Sequence, residues 1–338
     1  MTKNLRIKDG TEFIVFDLEW NQPFPGKEYP FDVTSLKGEI IDIGAEKYVY
    51  SYGQLSYVGE FSTTVRPKFY KKLHYHVKKL TNKTNAELMS GEPFDKASAD
   101  FLKFCGSDAI LVGWGNSDPE MLKINLKFSG LNDVLGMPFV DIQPIFSYFA
   151  GEQGMQRSVE YAVDFYSIQK DDTFHSAWAD SMYTGLVLKK IFEHNKTSEV
   201  LSIFESSMVD PDVKNEFSFV GDAYKTAEEA INSKQKFPSV CPFCEEPLKD
   251  NIKDFRIRKS IYALKACETH GDFFLRTRIK HSKKGYYAAM VMRVATQSDY
   301  SLAAAKFEEY KKYGIEGAPL PPPADSQNVE NSENLKED

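Results

Sequence analysis

Strand-like and helix-like segments alternate over the first 195 residues, the leading strand opens with an apolar run, and a long amphipathic helix closes the region. These three observations predict an α/β fold in which a mixed sheet is flanked by helices. FIVFDL (13–18) reads as a buried strand, followed by GEIIDIGAEKYVY (38–50) and LSYVGEFSTTV (55–65). AILVGW (109–114) then precedes an amphipathic run through Met121, Leu122, Ile124 and Phe128. After PFVDI (138–142) come three helical patterns, the last over about 176–192 with Met182, Leu186 and Ile191 on one side.

With 338 residues and 38.5 kDa, the chain exceeds what one hydrophobic core usually supports, so two folded units are expected. Hydrophobic residues at 42% and charged residues at 27% exclude wholesale disorder, collagen and coiled coil. No apolar run approaches membrane-spanning length and the first ten residues lack a signal-peptide core, which predicts a cytoplasmic protein with no membrane partner. The predicted units are an α/β domain over 9–195, a helical linker over 196–236 with no strand of its own, and a β-rich unit over 237–290. A C-terminal helix over 291–318 and a proline-led, disordered acidic tail over 319–338 complete the chain.

The sharpest chemical feature is Asp17-Leu18-Glu19 at the end of the first strand. Alternation points both carboxylates to one side, where like charges are costly unless a cation neutralises them. Oxygen-only ligands favour a hard ion such as Mg²⁺ or Mn²⁺. Taken alone, the triplet also reads as a solvated strand exit. Asp118 falls at a strand-to-helix junction, where it is either a helix cap or a further ligand. His175-Ser-Ala-Trp-Ala-Asp180 opens the last long helix with a histidine and an aspartate.

Together FDLE (16–19), EIIDIGA (39–45), VRP with LTNKT (65–67, 80–84), GNSD (115–118), FVDIQPIF (139–146) and HSAWAD (175–180) resemble the DnaQ-like, or DEDDh, 3′-to-5′ exonuclease family. Within it they look most like the Eri-type and histone-mRNA branch. The resemblance implies an RNase H-like, five-stranded mixed sheet and a two-metal phosphodiester hydrolase. Asp17, Glu19 and Asp180 would hold one Mg²⁺ or Mn²⁺, and Asp17 with Asp118 a second. His175, of the residue type that ordinarily titrates near neutrality, would take the proton from the attacking water. Family members often carry a small hydroxyl residue after the glutamate, where this chain has Trp20; that ring either stacks on the terminal base or belongs to the core.

Between Phe61 and Ala86 there is no acidic residue, but there are seven basic ones, among them Lys71, Lys72, Lys78, Lys79 and Lys83, with aromatic residues interleaved. Although the whole chain carries −7, this local charge suits phosphate tracking. Cys241-Pro-Phe-Cys244, a gap of 22 residues, then Cys267-Glu-Thr-His270 has the spacing of one structural Zn²⁺ in a zinc ribbon. A redox dithiol is the rival, but it gives Cys267 and His270 no role. Residues 249–284 hold eleven positive against four negative side chains, including Arg256, Arg258, Arg276 and Arg278, so the ribbon would grip either single-stranded nucleic acid or a protein. The expected function is a 3′-to-5′ exonuclease releasing nucleoside 5′-monophosphates from single-stranded ends, RNA ahead of DNA. A DNA-repair or proofreading exonuclease and an inert zinc-ribbon adaptor are the alternatives.

Overall fold

The structure is a computed structural model that describes residues 6–172, 174–213, 216–233 and 237–317. The tail expected at 319–338 lies outside the described residues.

The N-terminal unit contains β1 (Glu12–Asn21), β2 (Glu39–Ser51), β3 (Gln54–Arg66), α1 (Tyr75–Thr81), α2 (Asn85–Ser90), β4 (Glu92–Pro93) and α3 (Phe94–Cys105). It continues through β5 (Ile110–Gly113), α4 (Ser117–Phe128), β6 (Phe139–Asp141), α5 (Gln143–Phe149), α6 (Val159–Phe165), α7 (Ala177–His194) and α8 (Thr197–Ser207). The sheet order is β4-β3-β2-β1-β5-β6, so the expected five strands are present and the two-residue β4 adds a short edge. β1 runs antiparallel to β2 and parallel to β5, which makes the sheet mixed.

β1 is central and its apolar run is explained by burial on both faces. Phe13 and Val15 enter one core with Tyr183, Val187 and Leu188 of α7, whereas Ile14, Phe16 and Leu18 enter the other with Phe101 of α3 and Leu122 of α4. The parallel strands β1, β5 and β6 end on the same side of the sheet, the side where ligands gather in α/β folds.

The second unit comprises β7 (Glu216–Val220), α9 (Ala227–Asn232), β8 (Lys249–Ile257), β9 (Ser260–Cys267), β10 (Gly271–Ser282), β11 (Gly285–Val294) and α10 (Gln297–Tyr313). Its sheet has the order β7-β11-β10-β9-β8 and is antiparallel throughout. The linker over 196–236 is therefore not purely helical. Its EFSFV segment pairs with β11, and alternation within five residues was masked by the surrounding acids. The unit also runs past residue 290, because β11 ends at Val294 and α10 packs Ala303, Phe307 and Tyr310 against Phe255, Tyr262 and Phe274.

Candidate active site

Asp17 and Glu19 leave β1 at its C-terminal end. The antiparallel register sets Gly44 opposite Asp17 and Asp42 opposite Glu19. Gly44 decides what stands above them: a Cβ there would lie 2.2 Å from the Ala177 carbonyl, so only glycine lets the N-terminus of α7 rest on β2. Ser176 caps α7 by accepting from Ala179 N, and Asp180 follows within the first turn. The result is a triad in which one carboxylate oxygen each from Asp17, Glu19 and Asp180 lies within 4.8 Å of the others.

Asp118 joins the triad from α4. The parallel pairing of β1 with β5 ends at Val15, leaving Leu18 without a partner on β5, and Asp118 Oδ1 accepts from its N–H at 3.1 Å. The N-cap position belongs to Asn116, so Asp118 does not hold the cap expected on one reading. His175 has a left-handed backbone, φ 72°, and its N–H donates to Asp180 Oδ2 at 3.1 Å. Its exposed side chain stands close enough to lower the Asp180 pKa against the rise caused by burial.

Electrostatics mark the cluster as strained without a cation. Burial, then Asp118, Asp180, Glu19 and Asp42, hold the Asp17 carboxyl well above the usual range. Burial, with Asp180, Asp42 and Asp118, pushes Glu19 up to about 8. Asp118 rises to about 7 through burial, opposed by the N–H of Leu18. Such a set of oxygen donors fits hard divalent ions, which would repay the repulsion among the carboxylates.

Two residues here, Asp42 and Lys83, take places that local sequence does not announce. Asp42 had no assignment because its place beside Glu19 depends on strand register. Lys83, expected to track phosphates, instead turns inward: Nζ lies 3.0 Å from Asp42 Oδ1 and 3.3 Å from Thr64 Oγ1, and the side chain is 17% exposed. Trp20 follows a register shift in β1 and packs with the core, its ring so close to Gly38 that a Cβ there would sit 2.4 Å from Cδ1.

The basic loop is fastened to the same strand. Asn21 Nδ2 donates to the carbonyls of Tyr70 and Lys72, at 2.6 and 2.9 Å, and Asn21 Oδ1 accepts from His74 N. Glu39 accepts from the backbone N–H groups of Lys68, Phe69 and Tyr70. Lys71, Lys72, Lys78 and Lys79 remain exposed beside the end of β1.

In the second unit, the sulfurs of Cys241, Cys244 and Cys267 and a ring nitrogen of His270 lie within 4.8 Å of one another. Cys241–His270, Cys244–Cys267 and Cys267–His270 separations are 3.5, 3.6 and 3.7 Å. Bonds of about 2.3 Å in a tetrahedron give ligand separations of about 3.7 Å, so this donor set fits zinc. No helix follows Cys244 directly, which removes the context a redox dithiol needs. Against burial, which raises it, backbone N–H groups of His270 and Thr269 draw the Cys267 thiol down to about 6. Cys105 is buried in the N-terminal core.

The arginines expected on nucleic acid divide. Arg256 pairs with Glu228 at 3.2 Å and Arg258 Nε donates to the Glu316 carbonyl. Arg276 lies half-buried over Tyr262, whereas Arg278 is exposed on the same face of β10. No helix among the described residues is long and apolar enough to cross a membrane.

A mixed sheet flanked by helices, with carboxylates gathered at the end of its central strand, defines the class of fold as RNase H-like. Among solved structures, the chain is similar to the zinc-bound form of an Escherichia coli exonuclease I–single-stranded DNA complex, at 10% identity and a TM-score of 0.50, covering 93% of this chain and 75% of that one. It is also similar to cell-death related nuclease 4 (12% identity, TM-score 0.48, covering 71% and 88%). A third likeness is to the nuclease domain of 3′hExo, a DEDDh family member bound to rAMP (18% identity, TM-score 0.45, covering 54% and 92%). No family model and no curated protein sequence matches the chain.

Proposed function

We propose that this protein is a divalent-metal-dependent 3′-to-5′ exonuclease that removes nucleoside 5′-monophosphates from single-stranded ends, with RNA taken ahead of DNA. The observation that carries the reading is the convergence of Asp17, Glu19 and Asp180, coupled to Asp118, with pKa values driven upward by burial and mutual repulsion. Asp17, Glu19 and Asp180 would hold one Mg²⁺ or Mn²⁺, and Asp17 with Asp118 a second. When bound, such ions stabilise charge on the attacking and leaving oxygens of a phosphodiester.

The chain's own groups supply the rest. His175 is exposed beside Asp180, where its imidazole takes a proton from the attacking water. Lys83 offsets the charge of Asp42 behind Glu19. Lys71, Lys72, Lys78 and Lys79 contact phosphates of the strand upstream of its end. The Cys₃His cluster holds a structural zinc, all four positions being filled by protein, and Arg276 and Arg278 extend the basic surface. Exonuclease I, similar in fold, carries single-stranded DNA in its complex, which supports a single strand as ligand here.

The test is purified protein with Mg²⁺ or Mn²⁺ on 3′-labelled and 5′-labelled RNA and DNA oligomers, beside Asp17→Ala. Stepwise shortening from the 3′ end, lost in the variant and in chelator, is expected, with RNA shortened faster. No hydrolysis, internal cuts, or equal rates in the variant would overturn the reading.

A further inference from the structure

The two units enclose a cavity of about 480 Å³ that is separate from the carboxylate triad. It opens at the C-terminal ends of β5 and β6, the side of the sheet from which the triad projects, and two residues from Asp118. The volume falls in the range of small-ligand pockets, and junctions between units are favoured places for them. Pro144 and Ile145 of α5, Ile203 of α8 and Leu302 of α10 supply apolar walls.

The polar lining selects the chemistry. Arg293 is shared among carboxylates: Nη2 and Nε donate to Asp299 Oδ1 at 2.5 and 3.2 Å, and Nη1 lies 3.8 Å from Glu216. Against burial, which lowers its pKa, Asp299, Glu216 and Asp141 raise it, so Arg293 offers no free charge for a phosphate. Asp141 Oδ1 accepts from Gly115 N and Gln143 N, both at 2.9 Å, whereas its other oxygen meets no donor among the described residues. Ser207 Oγ, at the same wall, is buried without a partner. A site with apolar walls, amide and hydroxyl groups, and one available carboxylate oxygen suits a heterocycle with N–H donors on one edge.

We propose that this cavity binds a nucleobase, guanine before the others, through donation from its N1–H and N2–H to Asp141. The base comes either from the strand whose end is hydrolysed, which rests on the exonuclease reading, or from a free nucleoside. Guanosine carries no phosphate, so binding can be followed by calorimetry in buffer without chelator and without added Mg²⁺ or Mn²⁺, where catalysis is silent and the Cys₃His unit keeps its metal. Guanosine should bind at least about tenfold more tightly than adenosine, cytidine or uridine. Asp141→Asn, which retains an acceptor for Gly115 and Gln143, should abolish that preference, and Ser202→Trp, at the exposed rim on α8, should block entry and weaken all binding at least tenfold.

Competition by a guanine-containing oligonucleotide assigns the base to the strand; its absence assigns the site to free nucleosides. No nucleoside binding, or guanosine binding unaltered in both variants with unchanged circular dichroism, overturns the proposal. Hydrolysis without nucleoside binding removes the cavity assignment alone, and nucleoside binding without hydrolysis removes the exonuclease reading alone.

Discussion

Glu19→Gln separates an acid cluster assembled for a cation from one assembled for packing. The Glu19 carboxyl titrates at about 8, against 4.5 for an ordinary glutamate, because of burial and then Asp180, Asp42 and Asp118. The folded state therefore keeps a proton that the unfolded chain releases, and metal-free stability falls as pH rises from about 4.5 to about 8. At about 1.4 kcal/mol per pKa unit the full displacement is roughly 5 kcal/mol, and sharing protons with the other carboxylates leaves roughly 2 to 4 kcal/mol to Glu19. Glutamine has no charge to suppress. In EDTA at pH 8 the variant should melt roughly 4 to 12 °C above the wild type, and only slightly above it at pH 5. Addition of Mg²⁺ should raise the wild-type melting temperature more than that of the variant, because a ligand has been lost. Thermal melts by circular dichroism, in paired EDTA and Mg²⁺ samples, read both effects. A variant that melts below the wild type in EDTA at pH 8, or gains as much from Mg²⁺, would refute the argument.

Gly44→Ala should cost at least about 3 kcal/mol and most of the hydrolytic activity, since the added methyl meets the backbone of α7 and displaces Asp180; melting and turnover measure the two losses. Cys241→Ala should reduce metal content from one zinc per chain to none by elemental analysis and melt the second sheet, seen as lost near-ultraviolet dichroism. Lys78→Gln with Lys79→Gln should raise KM for long strands, leave dinucleotide turnover unchanged, and reduce the salt slope of binding by about 2.

The fold and the acid cluster were legible where local periodicity carries the information. Strand alternation alone aligned Asp17 with Glu19, and the apolar run over 13–16 announced a buried central strand. Positions that depend on pairing were not legible. Asp42 becomes a neighbour of Glu19 only through the β1–β2 register, and Asp118 could be separated from a cap only once Leu18 N was seen to lack a partner on β5. Lys83 belongs to a uniformly basic stretch, yet composition carries no direction, and a buried Asp42 drew it inward. The partners of Arg256 and Arg258, Glu228 and the Glu316 carbonyl, lie 28 and 58 residues away and were equally out of local view. β7 escaped because its partner strand, β11, begins 65 residues beyond its own end, out of reach of any local pattern.

The bond from Leu18 N to Asp118 makes that aspartate a splice between a helix and the working strand as well as a donor of negative charge. Truncation to alanine would strip an amide of its acceptor in the middle of the cluster and loosen Asp17 and Glu19 together. Asparagine keeps the acceptor and discards only the charge. The difference in activity between those two replacements therefore separates alignment from metal holding at a single position.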